Sequence, residues 1–202
     1  MTVLSPLLTK MDNYVQAKQI LKNAQLIYSG EQIALAIDQL AQNINNMLGN
    51  VEYPVIVLPV MNGGLILSGQ LITKLNFPIE IDFCHATRYR NETSGSELNW
   101  KVKPQNSLAQ RTVLIIDDIF DEGHTLKSVI EFCESEQADR VYSAVLIEKD
   151  HPRAKASVEC DFIGMQVEDK YVFGFGMDYK GYHRHLNAIY AVNDDPQDSI
   201  DE

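Results

Sequence analysis

Four consecutive apolar residues, Val113–Ile116, run directly into two aspartates, Asp117 and Asp118, and a glycine-containing turn follows them. The apolar run predicts a strand buried on both faces, and the periodic residues after Thr125 predict a helix. A strand that leads through a turn into a helix is the repeating unit of a parallel α/β sheet. Ligands bind to such sheets beyond the carboxyl ends of the strands. The segment therefore limits the fold class and also marks a candidate site.

Other segments repeat this alternation of strands and helices. Residues 54–60 form a β-branched run, and residues 31–48 carry apolar side chains at three- and four-residue steps before Gly49. The first pattern predicts a buried strand and the second a helix. Further helices are predicted at residues 65–75 and from about Thr125, with strands at 79–84, 112–117 and 142–147 and a turn at 118–124. We therefore expect an α/β fold with a central, mostly parallel sheet flanked by helices.

A polar stretch interrupts the alternation. Between Arg88 and Gln110 the apolar signal nearly vanishes, although clear strand patterns lie on both sides. Loops of this length inside a compact domain are usually functional or disordered. We expect a long functional loop here, with few apolar groups to anchor residues 88–106.

Length and composition indicate one soluble domain. The 202 residues are enough for a single buried core, with a helical N-terminal extension over about residues 1–50 and a polar tail over about residues 193–202. The formal net charge of −11 argues against a nucleic-acid surface. No apolar run approaches a membrane span and no export signal is recognised. Three cysteines without metal-type spacing indicate a cytoplasmic protein.

The turn after the acidic pair has the chemistry of a phosphate-binding loop. Glu122, Gly123, His124 and Thr125 lead into a predicted helix N-terminus, whose backbone N–H groups and dipole favour a phosphate. Nearby carboxylates would repel that phosphate unless they bind hydroxyls or a cation, and a sugar phosphate with Mg²⁺ supplies both. The alternative interpretation is a buried strand followed by a solvated acidic turn and an Asp-rich helix cap.

The segment Val113–Leu126 resembles the signature with which type I phosphoribosyltransferases bind phosphoribosyl pyrophosphate (PRPP). Over residues 54–186 the chain is similar to the hypoxanthine-guanine phosphoribosyltransferase family. The resemblance implies the type I phosphoribosyltransferase fold with a small base-binding hood. Residues 148–153 and 169–184 resemble the segments that form this hood in the family. It further implies a purine salvage enzyme that joins a 6-oxopurine, hypoxanthine or guanine, to PRPP and yields IMP or GMP with pyrophosphate.

The same resemblance implies roles for particular residues. Asp121 would be the catalytic group that manages the proton of the base. Asp117 and Asp118 would bind the ribose hydroxyls directly or through Mg²⁺, and Asp178 would help to hold a second Mg²⁺. The full set implied for PRPP and its phosphates is Met61, Asn62, Gly63, Arg88, Tyr89, Asp117, Asp118, Glu122, Gly123, His124, Thr125 and Arg184. The set implied for the base is Lys149 at the 6-oxo group, Tyr171 stacked on the ring and Val172 through its backbone.

Two loops of the family can be compared with this chain in detail. Residues 60–64 resemble the pyrophosphate loop, in which a cis peptide bond is implied between Met61 and Asn62. Residues from Arg88 onward take the place of the mobile lid. The family often has Lys where Asn62 stands, Ser where Arg88 stands and Thr where Glu122 stands. Asn62 removes a positive charge beside the pyrophosphate, which Arg88 would replace, and Glu122 adds a negative charge near the 5′-phosphate unless its side chain points outward.

Two alternatives use the same fold. One is a non-catalytic sensor of PRPP or a nucleotide, but such a sensor needs no base-binding hood. The other is a phosphoribosyltransferase that prefers another base, such as xanthine. The resemblance also implies a homodimer or homotetramer. His183 and His185 flank Arg184 without an accompanying Cys or acidic cluster, so we expect structural histidines rather than a metal pair.

Overall fold

The computed structural model describes residues 6–88, 98–153 and 155–193. Contacts divide the chain into two compact units, Ala34–Asp169 on the one hand and Met1–Ile33 with Lys170–Glu202 on the other. A single domain over residues 1–202 stays a prediction. Within the described ranges, no helix is long and apolar enough to cross a membrane.

The secondary structure alternates between strands and helices along most of the chain. The helices are α1 (Pro6–Asn23), α2 (Gly30–Leu48), α3 (Gly64–Leu71) and α4 (His124–Ser135), with a 3-10 turn at Ile72–Lys74. The strands are β1 (Gln25–Tyr28), β2 (Val55–Pro59), β3 (Ile79–Ile81), β4 (His85–Arg88), β5 (Leu98–Val102), β6 (Thr112–Phe120), β7 (Arg140–Asp150), β8 (Phe162–Glu168), β9 (Val172–Phe173) and β10 (Ile189–Ala191).

Five strands form the central sheet of the unit Ala34–Asp169. Their order is β3-β2-β6-β7-β8, and every neighbouring pair is parallel. The side chains of Val55–Leu58 and Val113–Ile116 are completely buried, because α3 and α4 pack against this sheet. Continuous apolar runs are typical of strands covered on both faces. The predicted α/β fold with a mainly parallel sheet is confirmed.

The central strand β6 is longer than its sequence pattern predicts. It continues to Phe120 instead of ending at Asp117, because it keeps pairing with β7 as far as Phe120 opposite Glu148. Asp117 and Asp118 therefore lie in a strand, and the predicted turn 118–124 begins only after Phe120. The parallel pairing also brings the residues that follow β6 beside those that end β7.

The polar stretch after Arg88 contains a strand that the sequence pattern does not predict. β5 pairs with β4 in an antiparallel hairpin. The Trp100 ring lies 4.6 Å from the Phe132 ring of α4, and Leu108 is only 3% exposed. Trp100 is thus one apolar anchor within residues 88–106 and Leu108 lies just beyond them, while the expectation that such anchors are few stays a prediction. Tyr89, the predicted lid tyrosine, and the side chain of Arg88 lie outside the described residues.

The smaller unit contains a three-stranded antiparallel sheet in the order β1-β10-β9. β1 interrupts an N-terminal extension that is predicted to be helical. His183 Nε2 lies 2.6 Å from the carbonyl oxygen of Ala17, and its ring packs against Phe173. These contacts support the structural role predicted for His183.

Candidate active site

Two aspartates lie at the carboxyl end of the central strand. Asp117 Oδ1 accepts a hydrogen bond of 2.9 Å from the backbone N–H of Asp118, whose side chain is buried. The Asp118 carboxylate approaches Gly63 so closely that a Cβ on Gly63 would overlap its oxygens. Because β2 and β6 are neighbours, the loop after β2 and the acidic end of β6 meet at one edge of the sheet. At this edge of the sheet, the carboxylate of Asp118 lies close to the backbone of the loop after β2.

The loop after β2 is fixed by backbone hydrogen bonds. The N–H of Val60 donates to Ile116 O at 2.8 Å, and the N–H of Met61 donates to Cys84 O at 2.8 Å. The Met61–Asn62 peptide bond is cis, as the family resemblance implies. The Asn62 side chain that follows is exposed.

The turn between β6 and α4 requires a glycine. Gly123 has a φ of 80°, in the left-handed region, and a Cβ there would meet the Phe120 ring at 2.6 Å. Gly123 is also the N-cap of α4 and has no side chain with which to cap the helix. The first N–H groups of a helix have no partner within the helix, so those that follow Gly123 can bind an anion.

A cluster of charged side chains lies at the carboxyl ends of β6, β7 and β8. Asp121 contacts Arg153 Nη2 at 2.9 Å and Lys149 Nζ at 3.2 Å. Asp169 contacts the same two cations, Arg153 at 2.8 Å and Lys149 at 3.8 Å. The Lys149 side chain is only 13% exposed, so it is held at the site and is not a solvated surface charge.

Glu122, which stands where the family often has Thr, lies next to this cluster and contacts two of its neighbours. Glu122 Oε1 lies 3.4 Å from Arg153, and its Oε2 lies 3.6 Å from His124. The acidic side chain therefore faces a cation and a histidine. Its negative charge is offset at the position where it departs from the family pattern.

Two groups with altered pKa values lie near this edge. Burial raises the pKa of the Cys84 thiol to about 12, and Asp117 adds to the effect. This thiol stays protonated near neutrality and cannot act as a nucleophile. Burial also tends to raise the pKa of Glu148, but hydrogen bonds of 2.9 Å from Lys155 and from Gln166 outweigh it and lower that pKa below its ordinary value.

Comparison with known proteins agrees with the motifs. Residues 23–180 match the phosphoribosyl transferase domain family. A hypoxanthine-guanine phosphoribosyltransferase of Staphylococcus epidermidis is 30% identical over 155 residues, which cover 73% of this chain and 86% of the relative. The chain belongs to the hypoxanthine-guanine phosphoribosyltransferase family.

Another family member and a solved structure extend the match. A hypoxanthine-guanine phosphoribosyltransferase of Staphylococcus aureus is 30% identical over 162 residues, covering 77% of this chain and 90% of the relative. The crystal structure of a hypoxanthine phosphoribosyltransferase from Staphylococcus aureus has a TM-score of 0.77 at 25% identity, covering 84% of this chain and 91% of that one. The type I phosphoribosyltransferase fold is therefore confirmed, whereas the roles of single residues stay predictions.

Four predicted site residues of this phosphoribosyltransferase lie in the smaller unit. The Tyr171 side chain is 54% exposed, and its hydroxyl donates to the carbonyl oxygen of Asp178 at 3.2 Å. Val172 is buried in β9 and pairs with β10. Arg184 donates to the Gly176 carbonyl oxygen and forms an ion pair with Asp178. The exposure of Tyr171 fits a stacking surface better than a core position.

Sequence reasoning assigned no role to two residues of the charged cluster. His151 and Arg153 both contact Asp121, at 2.9 Å in each case. Their position in the sequence could have indicated a role, since both lie within four residues of the motif residue Lys149. Their contact with Asp121 depends on the pairing of β6 with β7, which the sequence alone does not reveal.

Proposed function

We propose that this chain joins a 6-oxopurine base, hypoxanthine or guanine, to the ribose phosphate of PRPP, releasing pyrophosphate and giving IMP or GMP. One observation carries the proposal: the Asp121 carboxylate, just after β6, and the Lys149 ammonium, near the end of the neighbouring strand β7, lie 3.2 Å apart. The names of the Staphylococcus relatives support the same bases.

This acid–cation pair matches one edge of a 6-oxopurine. Atom N7 and the 6-oxo oxygen are neighbours on that edge of the base. When N7 carries the proton, the edge offers one donor and one acceptor, which match the acceptor Asp121 and the donor Lys149. Adenine has an amino group at position 6, so a donor would face the Lys149 ammonium. The pair therefore favours 6-oxopurines over adenine.

The reaction we propose is a displacement at C1 of the ribose. The bond to pyrophosphate loosens, N9 of the base attacks C1, and Asp121 takes the proton that the base loses at N7. The N–H groups that follow Gly123 bind the 5′-phosphate, and the backbone of Met61, Asn62 and Gly63 faces the pyrophosphate.

We include Mg²⁺ as the cofactor. Asp117 and Asp118 offer hard oxygen ligands at one edge, and Mg²⁺ is usually held by one or two carboxylates together with substrate oxygens and water. No group of three or more potential ligands occurs among the described side chains, so substrate oxygens and water would have to complete the coordination of an ion bound there. When bound, Mg²⁺ would neutralise and orient the pyrophosphate. That Asp178 helps to hold a second Mg²⁺ stays a prediction. Its oxygens accept from Arg184 and from the Gly181 N–H and retain further lone pairs.

Several expectations rest on the family resemblance alone. These are the roles of Arg88, Tyr89, Tyr171, Val172 and Arg184 and assembly as a homodimer or homotetramer. A cytoplasmic location is supported by three cysteines that form no disulfide.

Release of pyrophosphate tests the proposal directly. The purified chain is supplied with PRPP and, in turn, hypoxanthine, guanine, xanthine and adenine, with Mg²⁺ and with excess chelator. We expect turnover with hypoxanthine or guanine, negligible turnover with adenine, and recovery of lost activity when Mg²⁺ is restored. Pyrophosphate release that is independent of the base would contradict the proposed reaction, and full turnover in chelator would remove Mg²⁺ from it.

A further inference from the structure

A buried histidine lies beside the proposed catalytic carboxylate. The His151 side chain is 0% exposed, and its Nε2 lies 2.9 Å from Asp121 Oδ1. This short contact is not aligned as a hydrogen bond, and neither ring nitrogen has a hydrogen-bond partner among the residues that the structure describes. Buried polar atoms are nearly always paired, so an unpaired one that touches a catalytic group needs an explanation.

The groups around Asp121 restrict how it can keep a proton. Its carboxylate is faced by two cations, Lys149 at 3.2 Å and Arg153 at 2.9 Å. Two acids lie behind them, Asp169 at 2.8 Å and Glu122 at 3.4 Å from Arg153. Protonated Asp121 would no longer form ion pairs with these two cations, so passing its proton to a neighbouring group restores both pairs. His151 is a neighbouring group that can take this proton.

We propose that His151 takes up, through Asp121, the proton that the base loses. The inference rests on the proposed function, in which Asp121 is the first acceptor. As N9 bonds to C1, the N7–H bond breaks, its electron pair stays on the purine ring, and an O–H bond forms on Asp121. The Asp121 Oδ1–H bond then breaks as an Nε2–H bond forms, which regenerates the carboxylate and leaves an imidazolium on His151.

The chemistry of imidazole suits this second step. Histidine changes its charge between about pH 5 and 8, whereas carboxylates and lysine do so far outside that range. A ring nitrogen with a lone pair cannot form a hydrogen bond with an ionised carboxylate, because neither group supplies the proton. It can accept one as soon as Asp121 is protonated. At 2.9 Å, Nε2 is near enough to Asp121 Oδ1 to take its proton after a small change in alignment.

His151 acts through Asp121 and does not touch the substrate in this scheme, so it is a positioning residue and not a catalytic one. Its place is set by the sheet. β6 and β7 pair as far as Phe120 and Glu148, so the residues that follow the two strands are neighbours. A substitution at His151 can therefore change proton transfer without altering the groups assigned to PRPP.

The test compares four variants in single-turnover experiments, in which the enzyme is in excess over hypoxanthine and product release does not limit the observed rate. The variants are Asp121→Asn, His151→Gln, the double variant of both, and His185→Gln, which alters an exposed histidine outside the proposed site. Gln keeps a polar group near the Nε2 position but cannot take up a proton. His151→Asn replaces His151→Gln if the latter does not fold.

We expect Asp121→Asn to lower the rate by ~10²-fold and His151→Gln by ~10-fold or more. The double variant should be no slower than Asp121→Asn, because residues that act as one unit are not additive. His185→Gln should be unchanged, and PRPP affinity should be the same in all proteins. The dependence of the rate on pH should differ between the unaltered enzyme and His151→Gln, because only the unaltered enzyme has an imidazole beside Asp121.

Two outcomes would overturn the inference while leaving the proposed function intact. The first is that His151→Gln keeps the full rate while Asp121→Asn loses it. The second is that the losses of the single variants multiply in the double variant, since His151 would then act independently of Asp121. If Asp121→Asn itself keeps the full rate, the assignment of Asp121 in the proposed function is wrong, and the inference falls with it.

Discussion

Replacing Lys149 by Met tests how this phosphoribosyltransferase selects its base. Met keeps most of the apolar length of the side chain and removes the ammonium. In the structure that ammonium lies 3.2 Å from Asp121 and 3.8 Å from Asp169, and the side chain is 13% exposed. The change therefore removes a well-positioned donor from a largely buried place.

The expected loss of activity follows from one charge-assisted hydrogen bond to the 6-oxo oxygen. Such a bond contributes roughly 1.5–3 kcal/mol. At about 1.4 kcal/mol for each factor of ten, kcat/KM for hypoxanthine and guanine should fall by about 10- to 150-fold. Activity with adenine should fall less, because the ammonium offers adenine no matching acceptor, so the gap between the bases should narrow.

The cost in stability should be smaller. Removing one partner of a buried ion pair can cost about 3–5 kcal/mol when the other charge is left alone. Here Asp121 and Asp169 are 36% and 42% exposed, and each keeps a contact of under 3 Å with Arg153. The free energy of unfolding should therefore fall by only about 1 kcal/mol, the scale of an exposed pair.

The assay measures kcat/KM for hypoxanthine, guanine and adenine with the unaltered protein, Lys149→Met and a matched control. Lys74→Met is a suitable control, because it also removes a lysine from an ion pair, here with Asp38 at 2.6 Å. Neither Lys74 nor Asp38 is among the proposed site residues. An equal loss for all three bases in Lys149→Met would refute the reasoning. So would a preference of the unaltered enzyme for adenine.

Two further predictions concern the loop after β2 and the acid stability of the fold. Gly63→Ala should raise the KM for PRPP by about 10-fold or more, because the added Cβ would displace the Asp118 carboxylate. The control variant Gly69→Ala places its Cβ in open space and should leave the KM unchanged. Equal KM values for the two variants would contradict the close approach of Asp118 to Gly63. The pKa of Glu148 is lowered in the fold, so its stabilising effect should be full above about pH 4.3, the ordinary value in an unfolded chain, and should be lost as the pH falls through the lower folded-state pKa. Thermal unfolding between pH 7 and about pH 3 should accordingly show the difference in stability between the unaltered protein and Glu148→Gln shrinking toward acid pH, and a constant difference would contradict it.

The sequence predicts the centre of the sheet because its signal is local. Val55–Leu58 and Val113–Ile116 are apolar on both faces, and their burial follows from composition alone. β1, β5 and β9 are short strands whose pairing depends on residues distant in sequence, such as Trp100 opposite Ala86. Local patterns carry little information about such pairs, so these strands are missed.

The candidate site shows the same division. The aspartates after Ile116 and the glycine at position 123 can be recognised from one continuous motif. The contacts of Asp121 with His151 and Arg153 cannot, because they exist only when β6 and β7 pair with Phe120 opposite Glu148. A pairing shifted by even one residue would bring different side chains to Asp121. Register is a property of the folded sheet, so these partners become visible only in the structure.

The glycine that begins α4 links the ligand to the stability of the whole fold. A Ser, Asp or Asn at a helix N-cap contributes roughly a few tenths of a kcal/mol more than Gly, and Gly123 gives this up because the turn needs its left-handed backbone. A bound phosphate would supply the missing acceptor for the first N–H groups of α4, so binding would cap the helix N-terminus. Any ligand that prefers the folded chain adds to its unfolding free energy, by about 2.7 kcal/mol at a hundred times its Kd. A higher concentration of the phosphorylated substrate would thereby raise the folded fraction of this chain and its protection from proteolysis.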